Sequence, residues 1–195
     1  MEKIPNILSG FRLAMAPVFL VLFIQDDIFL RSLSLFIFLV AALTDIVDGY
    51  VARAYNVETK IGIFLDPLAD KFLTLAGFIC LPFLSESQFP WWAIILIALR
   101  DLSITLLRIY TDRKGIVLQT RNSAKAKTVL QMAFLYVALL LGLLAIIPGL
   151  PSQLVADVFA TNAFYWGLVG VTAVTVYTGV EYIWVNREML RKISA

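Results

Sequence analysis

Apolar residues fill this chain in six long runs, and nothing else in the sequence constrains the fold as strongly. The runs are Leu13–Ile24, a second beginning at Leu33–Ala42 and continuing through Asp45 and Asp48, then Ile61–Leu84, Pro90–Tyr110, Thr128–Ile147 and Phe159–Val185. With ends projecting into the headgroups, each approaches the roughly 17–25 helical residues that cross about 30 Å of hydrocarbon. Backbone groups in hydrocarbon must bond within their own segment, so runs of this length are helices. The chain is 61% hydrophobic and only 15% charged, with a mean hydropathy of +0.87, beyond an ordinary soluble domain. The expected fold is an all-α integral membrane protein of six transmembrane helices, forming one domain over residues 1–195 with no separate soluble part.

Ahead of the first run, Ile4, Ile7, Leu8 and Phe11 alternate with Glu2, Lys3, Asn6 and Ser9 at helical spacing. A short N-terminal interfacial helix over Met1–Phe11 fits this pattern, with Arg12 near the headgroups. Of the 16 lysines and arginines, all except Arg31 and Arg100 fall on segments sharing one side with the N-terminus. Asp26, Asp27, Glu86 and Asp157 mark the other side. The positive-inside rule therefore places both termini in the cytoplasm.

The net charge of +2 is too small to indicate a nucleic-acid partner. One cysteine, Cys80, excludes an internal disulfide, and the absence of histidine excludes histidine-ligated zinc and Ser-His-Asp hydrolysis. Acidic chemistry is concentrated where the second run meets the third. Asp45 and Asp48 are three residues apart, and Asp66 and Asp70 four apart, so each pair shares a helix face at the cytoplasmic ends of two spans. Four converging carboxylates repel unless protons or cations intervene, and an oxygen-only donor set suits magnesium or manganese. Gly49, Ala52, Gly62 and Ala69 are small enough for close approach of a neighbouring helix or a ligand.

Arg100 stands ten residues into the fourth run, about 15 Å along a helix from Pro90 and close to mid-membrane. Arg108 follows two turns later on the same face. Intramembrane arginines seldom face lipid, so the pair is expected to line a water-filled, anion-binding cavity open to the cytoplasm. Arg121, Lys125 and Lys127 are candidates for its rim; the alternative to such a cavity is that Asp101 simply pairs locally with a neighbouring basic group.

Asp45-x2-Asp48-Gly49-x2-Ala52-Arg53, eight intervening residues, then Gly62-x3-Asp66-x3-Asp70 fills every fixed position of the signature of the CDP-alcohol phosphatidyltransferase family. The chain resembles that family over essentially its whole length. The resemblance implies six spans, a cytoplasm-facing site and replacement of the CMP of a CDP-lipid by an alcohol. It assigns Asp45, Asp48, Asp66 and Asp70 to two magnesium or manganese ions, and Asp70 also to the base that takes the acceptor hydroxyl proton. Asp45, Gly49, Ala52, Arg53 and Gly62 would then bind the CDP-lipid.

Finer features are similar to bacterial phosphatidylglycerophosphate synthases: Asn6-Ile-Leu-Ser9-Gly-Phe-Arg12 followed by Pro17, Leu65-Asp-Pro67-Leu-Ala-Asp70-Lys71, and Ala124-Lys125-Ala-Lys127-Thr128 with Gln131. Ser9 stands where threonine is common, and Arg100-Asp101 where Arg-Glu is more usual. This closer resemblance implies CDP-diacylglycerol and glycerol 3-phosphate as substrates, with Arg100, Arg108, Arg121 and Lys125 at the acceptor phosphate. It also implies a homodimer in the bacterial cytoplasmic membrane, in contact with membrane lipids.

Overall fold

The computed structural model describes residues 4–55, 62–116, 118–147, 157–159 and 161–194, with helical side chains described from Ser9 onward except at 45–55, 62–65 and 192–194. Among the described residues the main elements are helices: α1 (Ile4–Phe23), α2 (Ile28–Tyr55), α3 (Gly62–Leu84), α4 (Trp91–Arg113), α5 (Asn122–Leu144), α6 (Ala163–Val185) and α7 (Arg187–Ser194). Helix α1 packs on α2 and α3, while α6 packs on α4 and α5, with α3 reaching both α4 and α5.

The N-terminal segment extends into the first apolar run, as the sequence suggests. One helix runs from Ile4 through Pro17 to Phe23. Its continuity follows from a single buried stripe, Ser9, Arg12, Ala16, Phe19 and Phe23, spaced three and four residues apart. Arg12 belongs to that stripe and is buried. Helix α2 answers with Arg31, Ser34, Phe38 and Ala41, and the Phe19 and Phe38 rings meet at 4.7 Å.

The outward surface is apolar, carrying Phe29, Val129, Trp166, Tyr177 and Trp184, each about two-thirds exposed or more. The interior carries Ser34, Gln131, Thr172 and Thr175 among its apolar side chains. Thr175 donates to the Val171 carbonyl at 2.7 Å and accepts from Gln131 Nε2 at 3.2 Å, so these buried groups are satisfied. Apolar outside and hydrogen-bonded inside is the arrangement that hydrocarbon demands. Three helical segments, Asp66–Leu84, Asn122–Leu144 and Ala163–Val185, are long and apolar enough to cross a membrane, while Ser9–Phe23 and Ile28–Thr44 are shorter apolar helices. In α4, Arg100, Asp101 and Arg108 interrupt a largely apolar sequence. The chain is a membrane protein.

Glycine permits the closest helix approaches. A Cβ at Gly77 would lie 2.7 Å from Leu135 Cδ2, so α3 and α5 touch there without one. At the end predicted to face outward, Gln88 links the α3–α4 turn to α6 by donating to Asn162 Oδ1 at 3.1 Å and accepting from the Tyr165 amide at 3.2 Å. Helix α7 was not anticipated from the apolar runs. It follows α6 directly, with the Arg187 guanidinium 4.5 Å from the Trp184 ring centre.

Arg31 binds the ends of two helices and the turn that follows α1. Its Nε donates to the Phe23 carbonyl at 3.1 Å, Nη1 to Gly142 at 3.2 Å, and Nη2 to Gln25 at 3.2 Å and Asp26 Oδ1 at 3.0 Å. Phe23 ends α1 and Gly142 lies in the last turn of α5, where carbonyls lack intrahelical partners. Arg31→Met leaves these acceptors unmet in a buried site. It is expected to lower the midpoint of thermal unfolding in mild detergent by an amount equivalent to about 2–4 kcal/mol; an unshifted midpoint would show that water replaces the guanidinium at no cost.

Candidate active site

Helix α3 brings two of the four signature carboxylates into the described structure. Asp66 accepts a hydrogen bond from Ser9 Oγ on α1, and the Arg12 guanidinium stands 3.9 Å from the same carboxylate oxygen. The N-terminal Ser9 and Arg12 thus reach one of the aspartates across 57 and 54 residues of chain. Asp70 lies one turn further on. Both side chains are partly exposed, Asp66 at 41% and Asp70 at 35%.

Asp70 forms part of the wall of a cavity of about 960 Å³, within the size range of small-molecule and cofactor sites. Lys71 accompanies it from α3, Arg100, Asp101 and Arg108 come from α4, Lys125 and Lys127 from α5, and Tyr182 from α6. Six basic side chains face three carboxylates around the cavity, because Arg113 and Asp112 also contribute. An anion is the ligand such a balance favours.

Asp101 is the electrostatic centre of this wall. Only 2% of its side chain is exposed, and it is held by Lys127 Nζ at 2.7 Å, Arg100 Nη1 at 3.0 Å and Lys71 Nζ at 3.8 Å. Lys71 simultaneously lies 3.7 Å from Asp70. Lys127, anticipated on the rim, is instead buried in the ion cluster, with 1% of its side chain exposed. Arg100 donates its Nη2 to Thr178 Oγ1 on α6 at 3.0 Å. Arg108, two turns along, is exposed, donates to Thr120 Oγ1 at 2.7 Å and lies 5.8 Å over the Tyr182 ring.

Asp70, Arg100, Arg108 and Lys125 are therefore brought together around one space. Arg121 is not: it pairs with Glu181 at 2.8 Å, and Glu181 also accepts from Ser123 Oγ at 2.5 Å. Asp45, Asp48, Gly49, Ala52 and Arg53 stand on α2, and Gly62 starts α3, but their side chains lie outside the described residues. Tyr182 had no prominence in the sequence. Its signal is Glu181, a lone charge in the last apolar run, which marks that turn as facing polar neighbours.

For divalent metal, the fit can be judged on Asp66 and Asp70. They offer partly exposed hard-oxygen donors one turn apart on a helix that contacts α2, which suits magnesium or manganese. Among the described residues no three metal-ligating side chains gather; the remaining signature donors are Asp45 and Asp48.

Residues 2–177 match the family model for CDP-alcohol phosphatidyltransferase, and the chain belongs to that family. It is similar to a probable phosphatidylglycerophosphate synthase of Mycobacterium tuberculosis, with 34% identity over 184 residues, covering 93% of this chain and 80% of the relative. A CDP-diacylglycerol--glycerol-3-phosphate 3-phosphatidyltransferase of Rickettsia bellii is 34% identical over 187 residues, with 93% of each chain covered. A protein of the same name from Bacillus subtilis is 32% identical over 203 residues, covering 98% of both.

Removing the charge of Asp101 leaves the ammonium of Lys127 buried without its counter-ion. Asp101→Asn is expected to cost about 3–5 kcal/mol of stability, read as a lower unfolding midpoint in detergent. Asp101→Glu, which keeps the charge, is expected to recover most of it, and equal midpoints for wild type and Asp101→Asn would contradict the cluster's structural role.

Proposed function

We propose that the protein transfers the phosphatidyl group of CDP-diacylglycerol to glycerol 3-phosphate, releasing CMP and forming phosphatidylglycerophosphate. The observation that carries this reading is the basic cavity itself, with Asp70 on one wall and Arg108 and Lys125 on others. A phosphate-bearing acceptor explains cations that a neutral alcohol would leave unopposed. The names of the relatives from Rickettsia bellii and Bacillus subtilis support the same donor and acceptor.

In this mechanism Arg108 and Lys125 hold the acceptor phosphate, Arg108 by directional guanidinium hydrogen bonds and Lys125 as a point charge. Asp70 takes the proton of the acceptor hydroxyl. That oxygen bonds to the phosphatidyl phosphorus as the bond from phosphorus to the CMP oxygen breaks, so the leaving group departs as CMP. Arg53, Gly49, Ala52 and Gly62 are assigned with Asp45 to the CDP-lipid. Bound at Asp45, Asp48, Asp66 and Asp70, two magnesium or manganese ions would neutralise pyrophosphate charge and stabilise the leaving phosphate. Ser9 orients the Asp66 carboxylate by its hydrogen bond.

The proposed setting is a six-span enzyme of the bacterial cytoplasmic membrane with site and termini facing the cytoplasm. Here α1, α2 and α4 cross as well, their charged ends in the headgroups and Arg100 and Asp101 turned to the cavity. A homodimer accompanies the reading. Gly167 is occupied within the chain, since a Cβ there would lie 2.9 Å from Phe134 Cε2, whereas Gly170 has open space around it. Gly170 and exposed Trp166 share a face of α6 that suits a second copy.

Purified protein with CDP-diacylglycerol and glycerol 3-phosphate is expected to release CMP only with divalent metal present. Chelation should abolish turnover and magnesium or manganese should restore it; full turnover in metal-free protein would refute the metal assignment. Asp66→Asn should insert normally yet lose about 100-fold or more in rate. Arg108→Gln should weaken glycerol 3-phosphate use by about 10- to 150-fold while leaving CDP-diacylglycerol binding intact. An unchanged acceptor response would remove Arg108 from the site.

A further inference from the structure

In the connection from α4 to α5, Thr120 accepts a hydrogen bond from Arg108 Nη2 at 2.7 Å, and both residues border the large cavity. An exposed contact of this kind is ordinarily loose, because water competes for both groups and ordering the side chains costs entropy. Here the backbone on either side of Thr120 is tied down. Gln119 gives its amide N–H to Asn186 Oδ1 at 2.8 Å, and its carbonyl accepts from Asn186 Nδ2 at 3.1 Å. Arg121 pairs with Glu181 near the same end of α6 at 2.8 Å. Leu118, just ahead, is buried.

Asn186 is the anchor of this arrangement. It stands between α6 and α7, is only 2% exposed, and its Nδ2 donates also to the Tyr182 carbonyl at 2.9 Å. Each polar atom of the side-chain amide is therefore engaged, the oxygen accepting once and the nitrogen donating twice. An amide offers an acceptor and a donor side by side to one backbone residue, which neither a carboxylate nor an ammonium can do. The Gln119 peptide is held on both its polar groups, and Thr120 follows directly.

Arg108 depends on such support more than the other cations of the wall. Arg100 and Lys127 are set by Asp101, whereas Arg108 has no carboxylate partner among the described residues. A guanidinium held by a hydroxyl keeps its charge uncancelled while giving up part of its freedom before an anion arrives. Ordering of that kind in advance lowers the cost of binding.

We propose that Asn186 is a positioning residue for the acceptor site: by clamping the Gln119 backbone it sets the Thr120 hydroxyl against Arg108, and so holds the guanidinium ready for the acceptor phosphate. The inference rests on the reading of the cavity as the glycerol 3-phosphate site. It brings to that site a buried residue that acts through two others and does not itself touch substrate.

The test is a double-mutant cycle of Asn186→Leu, which removes the amide at similar volume, and Thr120→Val, which removes a hydroxyl from an exposed residue. KM and kcat for glycerol 3-phosphate are measured at saturating CDP-diacylglycerol and magnesium. Each single variant is expected to raise that KM about 5-fold, with kcat and the KM for CDP-diacylglycerol within about twofold of wild type. The double variant should be no worse than the poorer single one, because the two residues act in series, and Thr120→Ser should keep the wild-type KM. Multiplying effects, a rise of about 25-fold, would overturn the series. An unchanged KM in Thr120→Val would overturn the proposal whatever Asn186→Leu does to folding, and a lowered KM would overturn it by making Thr120 a competitor for the guanidinium. A lower unfolding midpoint in Asn186→Leu at unchanged KM would leave Asn186 a purely structural role. Failure of the substrate reading shows in the wild type instead. If another phosphate-bearing acceptor is turned over in place of glycerol 3-phosphate, the same KM rises on that acceptor would uphold the clamp; turnover of unphosphorylated alcohols alone would overturn both.

Discussion

The contact between Asp101 on α4 and Lys127 on α5, at 2.7 Å, is the interaction on which the rest of the site depends. Neither group is stable alone in such a place: a buried charge requires a partner, and its removal costs more than the pair contributes. Once Asp101 is fixed by Lys127, it also holds Arg100 and draws on Lys71. Arg100 reaches α6 through Thr178, and Lys71 reaches back to Asp70 on α3. Four helices are thus connected through one carboxylate. By sharing Lys71, Asp101 also keeps that ammonium from belonging to Asp70 alone.

A second polar lock lies elsewhere in the bundle. Arg31 joins the ends of α1 and α5 through carbonyl groups rather than carboxylates, with Asp26 completing its set. Between the two locks the interior is aromatic and aliphatic, with Phe19, Phe38, Phe78, Leu135 and Leu139 essentially inaccessible. Within a membrane such packing gains no hydrophobic advantage over lipid, so directional polar contacts carry much of the specificity of helix pairing. The cavity can then stay open and charged without loosening the helices that surround it.

Helices and the acidic motif were legible in the sequence because each depends on local spacing. Apolar runs fixed the elements to within several residues, and Asp66 and Asp70 at four-residue spacing predicted a shared face. What spacing could not supply was phase relative to neighbours. Arg121 and Lys125 are one turn apart, whereas Lys127, two residues beyond Lys125, points well around the helix. Only the packing of α5 against its neighbours decides that Lys127 enters the ion cluster. Arg31 was visible as the single cation on its side, but its bond to Gly142 spans 111 residues. The burial of Ser9 and Arg12 was hidden for a related reason, since both read as interfacial polarity until the stripe they share with Phe19 was seen buried.

Pairing also separates roles among basic groups that composition treats alike. Lys127 and Arg31 are buried and hydrogen-bonded, and Arg121 is engaged by Glu181. Their charges are largely spoken for by the protein. Arg108 is exposed, with one hydroxyl partner in Thr120, and Lys125 has no ion pair among the described residues. A cation whose field is not cancelled by a fixed carboxylate is the one able to attract a mobile anion, and both of these border the cavity. The division shows how a bundle can be cross-linked by ion pairs and still present open positive charge to its cavity: the buried pairs hold the walls, and the exposed cations stay available to an anion.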